Sequence, residues 1–362
     1  MPRRGTLYVT GAALLVIVLV GGRWLAIETA ERAWAGIFPG GATLTDARML
    51  GHMLQALVLV SCIAWMTGNL LIVYRAIGSV QMPRQLGNLE IVEAVPRRAL
   101  FGLTLALGVV TGFLLSLGTA QWWRLAILAA TPPHFGVTDP VLERDLGYYL
   151  AVLPWRSVLQ ARAMLLAASA LAGMALLYAA IGSLRIRRAR LRASDRARGH
   201  LGMLLACLAL VIAWGAALDP AQVVAGLHGV VDHAALTVRV PGARLVAAVA
   251  VLAAIVSLGW AWRDVSNVII GGWAALVLAI VACYVVVPGV VRTSRPGDGP
   301  ILRAQRAALE QIAFGLTALE TRAPPAFATP EAALRRLPIW DAGRVADVAG
   351  VPPAAVALRP SD

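Results

Sequence analysis

Residues Val268–Val290 read VIIGGWAALVLAIVACYVVVPGV, and no charged side chain interrupts them. A helix needs about 20 apolar residues to cross the hydrocarbon core of a bilayer. In hydrocarbon each backbone N–H and C=O needs an internal partner, so the run is read as a helix. Working upstream, six more such runs lie at about 7–27, 49–74, 99–117, 158–184, 201–218 and 245–262. The expected fold is all-α: a polytopic membrane bundle of seven transmembrane helices over residues 1–291, with a short tail over 292–362. The whole chain agrees, since 59% of its 362 residues are apolar and 14% charged, against about 25% charged in soluble domains. The runs are rich in Ala, Leu and Val with recurrent Gly, and small residues let membrane helices approach closely.

The formal charge is +13, and all 32 basic residues are arginine. A basic balance is one mark of nucleic-acid binding. Here the arginines gather between apolar runs, which the membrane explains, so no nucleic acid is expected. Arg3 and Arg4, then Arg75, Arg84, Arg97 and Arg98, then seven arginines from Arg185 to Arg198, then Arg263, all fall on one side of a seven-span arrangement. The positive-inside rule makes that side cytoplasmic, along with the N-terminus. The tail is then extracytoplasmic, as are the loops 36–48, 118–157 and 219–244. Arg185–Arg198 reads as a helical extension of the fourth span, with its charges among anionic lipid heads. Behind Arg3 and Arg4, the Ala33-Trp34-Ala35 pattern lies too far from the apolar core for signal cleavage, so the first run is read as a retained helix.

The tail opens on SRPGDGP and then repeats Ile301, Leu309, Ile312 and Leu316 at helical spacing over Pro300–Leu319. Further short helices are expected from Thr329-Pro330-Glu331, which supplies a cap and a proline first residue, and from Asp341 to Gly350. About 70 residues make a marginal core alone. The tail is therefore expected to dock on the outer loops or on a protein partner outside the membrane.

The longest outer loop holds HFGVTDPVLERDLGYYLAVLPW, His134–Trp155. Thr138-Asp139-Pro140 is a helix-start signal. Leu142, Leu146, Tyr149 and Leu150 would form the apolar face of an interfacial helix. Tyr148, Tyr149, Trp155, Trp122 and Trp123 would sit at the lipid headgroups. The competing functional reading pairs Asp139 with Glu143 or Asp145 for acid/base work.

Weaker constellations are His228, Asp232 and His233, which read as interfacial polar residues rather than metal ligands. His52 and Asn69 are polar groups at membrane depth. Glu28 and Glu31 read as a solvated extension of the first span. Cys62, Cys207 and Cys283 lie in apolar runs and read as small buried hydrophobes. No metal or other cofactor is expected. There is no P-loop, HExxH, GxSxG or CxxCH in the chain.

The loop also resembles the most characteristic segment of an uncharacterised bacterial membrane-protein family, uncharacterised protein family zero-one-eight-two. Its pattern maps onto Phe135, Gly136, Asp139, Pro140, Asp145, Tyr148, Tyr149, Leu153, Pro154 and Trp155. Asn69-Leu70, Tyr74-Arg75, Gly112, Trp122–Leu125, the tail segment ALEQIAFGL and Leu337–Asp341 follow in order. The resemblance implies seven spans, an extracytoplasmic tail and a bacterial cell membrane. It implies no established activity. Two departures stand out: family members usually continue into a larger extracytoplasmic domain, and a family GAGYTD-like segment reads HAALTVRV here, with Val238 at the acid's place.

The function expected from these residues is a structural or interaction subunit, a membrane anchor with an outer docking platform. The alternatives are a permease-like transporter, which would need buried charges and broken helices, and a membrane enzyme using Asp139, Glu143, Asp145 and His134.

Overall fold

The computed structural model describes residues 4–77, 85–86, 89–90, 97–139, 141–187, 190–227, 234–263, 266–294, 307 and 310–311. The helices run in chain order as α1 (Arg4–Ala35), α2 (Gly41–Ile77), α3 (Arg97–Ser116), α4 (Trp122–Ala130), α5 (Leu153–Ala180), α6 (Asp195–Val224), α7 (Val240–Trp262), α8 (Ser266–Val281) and α9 (Val287–Ser294). Wide π turns at Tyr148–Val152, Ala235–Arg239 and Ala282–Val286 run straight into α5, into α7 and from α8 into α9. Two short antiparallel pairs complete the described elements: β1 (Gln85–Leu86) with β2 (Leu89–Glu90), and β3 (Leu184–Arg187) with β4 (Arg190–Ala193).

Among the described residues, six helices are long and apolar enough to cross a membrane, from Gly41–Ala76 to Asn267–Val291. Their packing is inverted relative to a water-soluble protein. Leu176 and Leu278 point outward, 71% and 69% exposed, while Asn69, His200 and Ser257 are buried. Apolar side chains outside and polar ones inside suit a hydrocarbon surround. The chain is a membrane-spanning helical protein.

Small residues set how closely the helices approach. A Cβ on Gly112 would lie 2.5 Å from the Ile63 Cα, and one on Gly108 would lie 2.4 Å from Thr67 Oγ1. This Gly-xxx-Gly step seats α3 antiparallel against the backbone of α2. An alanine seam, Ala206, Ala209, Ala213 and Ala216 against Ala250, Ala253 and Ala254, joins α6 to α7. Gly202 on α6 meets Ser257 and Ala261 on α7, and Gly242 on α7 meets Cys283 in the wide turn that follows α8. Larger side chains fill the centre: Val73, Met174, Tyr178, Leu204 and Trp260 form one buried cluster.

Two sequence expectations fail here. The arginine-rich segment after α5 does not extend that helix. α5 ends at Ala180, Gly182 takes φ +74°, and the chain turns into the β3–β4 hairpin. Glu28 is not a solvated extension either. It is buried, accepts from Arg32 Nε at 3.1 Å and contacts His52 Nε2 at 3.1 Å, while Glu31 pairs with Arg48 at 2.7 Å. A helix cannot spread its charges into water where the next helix lies against it, so these acids pair across α1 and α2. Of the expected tail helices, only Ala307, Glu310 and Gln311 are described, all helical. Residues 292–294 close α9, and the rest of the tail lies outside the described residues.

Candidate functional site

The expected interfacial helix starting at Thr138 is absent. Asp139 does not cap a helix. It closes a tight turn instead, and it is buried to 3% exposure. Its carboxylate accepts from the backbone N–H of Val141 at 2.8 Å, of Leu142 at 3.1 Å and of Arg144 at 3.4 Å, and from the Tyr149 hydroxyl at 2.7 Å. Its own N–H donates to the Arg144 carbonyl at 2.9 Å. Glu143 is forced to φ +55°, a left-handed conformation that breaks any helix at that point. Local side-chain capture of backbone amides has outcompeted the helix. Helix resumes at Leu146 and passes through the wide turn into α5. The helix that does occupy this loop is α4, built on the Trp122 segment.

Asp145 builds the other half of the loop. It bridges Thr138 in a short antiparallel contact and accepts from the N–H groups of Gly147 at 2.7 Å, Gly136 at 3.0 Å and Phe135 at 3.3 Å. Gly147 is required here, because a Cβ would lie 1.7 Å from the Pro133 carbonyl oxygen. The Gly147 N–H, then those of Phe135 and Gly136, hold the Asp145 carboxyl below the usual carboxylate range against the opposing effect of burial.

The aromatic residues divide between inside and rim. Trp122 is buried, edge-on to Trp155 at 5.9 Å, under the Arg162 guanidinium at 5.3 Å. Arg162 donates to the carbonyls of Leu115 and Leu117, so it closes the end of α3. Tyr149 turns inward to Asp139, and Tyr148 lies edge-on to it at 5.5 Å. Phe135 is 51% exposed at the loop's edge. Leu153 and Leu218 are packed below, linking this roof to α6. The structure therefore gathers Phe135, Gly136, Asp139, Asp145, Tyr148, Tyr149 and Trp155 into one small roof, with Glu143 exposed at its turn and Pro154 in the first turn of α5. It does not pair the carboxylates: Asp139 and Asp145 serve separate sets of amides. Pro140, His228, Asp232 and His233 lie outside the described residues.

Sequence reading missed a set of charged and polar groups inside the bundle. Asp219 on α6 is held by Arg239 through two bonds, Nε at 3.2 Å and Nη2 at 3.0 Å. The Arg239 guanidinium also lies 5.5 Å from the Tyr284 ring centre. Arg239 and Tyr284 each belong to a wide turn, and Pro220 follows Asp219 inside α6. The signal was an acid at the end of an apolar run, with an arginine 20 residues on. Toward the β3–β4 end, His200 joins the Tyr178 hydroxyl at 3.0 Å and Asn69 Oδ1 at 2.8 Å. Only Asn69 of that trio stood out in the sequence.

A profile of the Uncharacterised protein family (UPF0182) matches residues 8–295, most of the chain. The chain belongs to that family. UPF0182 is bacterial, and its name records no activity. Among curated relatives, a UPF0182 protein of Pelobacter propionicus is 26% identical over 302 residues, 75% of this chain and 33% of that protein. One from Cupriavidus necator is 28% identical over 251 residues, 65% of this chain and 26% of that protein. Another, from Desulforamulus reducens, is 30% identical over 146 residues. The chain thus spans a third or less of the length of these UPF0182 relatives. No solved structure matches it.

Proposed function

We propose that the chain is a membrane anchor whose roofed loop is a rigid docking platform for an extracytoplasmic protein segment, its own tail or a partner. The observation that carries this reading is Asp139, a buried acid bonded to loop amides and to Tyr149. An acid whose oxygens are engaged that fully fixes the shape of the loop surface. In this reading α1 is the seventh span, the N-terminus is cytoplasmic and the tail is outside. The arginine-rich β3–β4 segment then meets anionic lipid heads on the cytoplasmic side.

Native mass spectrometry of the gently extracted chain tests the anchor role, and limited proteolysis tests the platform. Asp139→Ala should speed cleavage of the tail and release any co-purified protein. Unchanged tail protection, together with a chain that carries no protein partner, would sink the reading.

One observation favours a second reading, a transporter. The Asp219–Arg239 pair joins α6 to the wide turn ahead of α7, beside a proline inside α6 and a second wide turn after α8, and charged pairs at broken helices often mark pathways. Solute flux in proteoliposomes, abolished by Asp219→Asn, would favour it over the anchor.

A further inference from the structure

The roof contains acids and arginines in similar number, yet they do not pair with each other. Asp139 and Asp145 give their oxygens to backbone amides and Tyr149. Arg144 and Arg156 are both exposed, and neither forms an ion pair among the described residues. Both instead converge on one ring. Arg144 Cζ lies 4.2 Å and Arg156 Cζ 5.9 Å from the centre of Tyr148. Glu143, the exposed acid beside Arg144, is turned through a left-handed residue and pairs with neither.

Stacking uses the face of a guanidinium and leaves its edge N–H groups free. Those edge donors form a fork that suits a phosphate oxygen pair. The supports are fixed beforehand: the Arg144 backbone bonds Asp139 through both its N–H and its carbonyl, and the Tyr148 N–H donates to the Asp145 carbonyl at 3.0 Å. Pre-fixed donors lose less entropy on binding. Arg124, over the Trp123 ring at 5.4 Å, adds a third cation to the same loop without an ion pair of its own.

We propose that Arg144 and Arg156, seated on Tyr148, form a binding site for a phosphate group, carried by a lipid headgroup or by a soluble phosphate. It stands apart from the anchor reading, since such a site requires no docked protein.

The test is native mass spectrometry of the full chain in detergent, titrated with phosphatidic acid and, in parallel, with phosphatidylcholine. Wild type should hold one more phosphatidic acid than the Arg144→Gln/Arg156→Gln variant, with affinity for that lipid at least about tenfold higher. Competition by inorganic phosphate would assign the site to soluble phosphates; insensitivity to it would assign the site to a headgroup. Equal lipid counts in wild type and variant overturn the proposal, as does equal retention of phosphatidylcholine and phosphatidic acid. If the glutamine pair loses helix content, Arg144→Lys/Arg156→Lys replaces it. That pair keeps the charge and loses the fork, so affinity should still fall about tenfold. Wild-type affinity in the lysine pair overturns the proposal equally.

Discussion

His200 Nε2 and Asn69 Oδ1 meet at 2.8 Å, 131 residues apart in sequence, with both side chains buried. Asn69 also donates to the Trp65 carbonyl at 2.7 Å, and the other ring nitrogen of His200 meets Tyr178. One polar chain thereby ties α2, α5 and α6 together. Asn69→Leu should destabilise the bundle by about 1–2 kcal/mol, because it leaves a buried imidazole nitrogen without its partner. Asn69→Leu with His200→Leu should cost less than the two single losses added. A double-mutant cycle by SDS titration checks this, and strict additivity would show that the two side chains are uncoupled.

Gly112 offers a packing test. Gly112→Val would force the α3 backbone away from Ile63 and should destabilise by about 1–3 kcal/mol, as overpacking does. Gly102, on the same helix, has nothing within 4 Å of a built Cβ, so Gly102→Ala should be neutral or slightly stabilising. Thermal unfolding of the two variants side by side distinguishes packing from helix propensity.

Acid should loosen the roof. The folded Asp145 carboxyl lies below its ordinary value of 3.8 because backbone N–H groups favour its charged form. Its stabilising contribution is therefore complete above that ordinary value and is lost as pH falls through the depressed one. Hydrogen exchange of the Gly136 and Gly147 amides should accelerate, relative to the intrinsic rate, only at acid pH. Asp145→Asn should show fast exchange at every pH. A flat profile in wild type would count against this role.

Breaking the Asp219–Arg239 pair from one side should be costly. Arg239→Leu leaves a buried carboxylate and should destabilise by about 3–5 kcal/mol. Asp219→Leu/Arg239→Leu together should be tolerated better than either alone. Yield and monodispersity after extraction, followed by SDS unfolding, provide the readout.

Much of the membrane architecture was legible because apolar runs leave a helix little choice. Six expected runs are helices of spanning length, and their ends moved by several residues where polar caps and loops intervene. The loop at Asp139 was misread for a physical reason: Thr-Asp-Pro starts helices, but a carboxylate that captures the Val141, Leu142 and Arg144 amides makes a turn equally well. The positive φ at Glu143 and the Thr138–Asp145 bridge separate the two outcomes, and no residue type announces either. Pairings such as Glu28 with His52, or His200 with Asn69, depend on which helices become neighbours. Local pattern carries no such information. The Gly108/Gly112 contact was foreseeable in kind, as close approach by small residues, but its partner helix was not.

The wide turn at Tyr148–Val152 has one further consequence. It accommodates an extra residue relative to regular α-helix. The rows of side chains above and below it are consequently out of phase. Roof residues stand within and just after the slipped turn, Tyr148 and Tyr149 in it and Trp155 and Arg156 beyond it, so this change of phase sets how the roof is aimed over the buried stripe of α5.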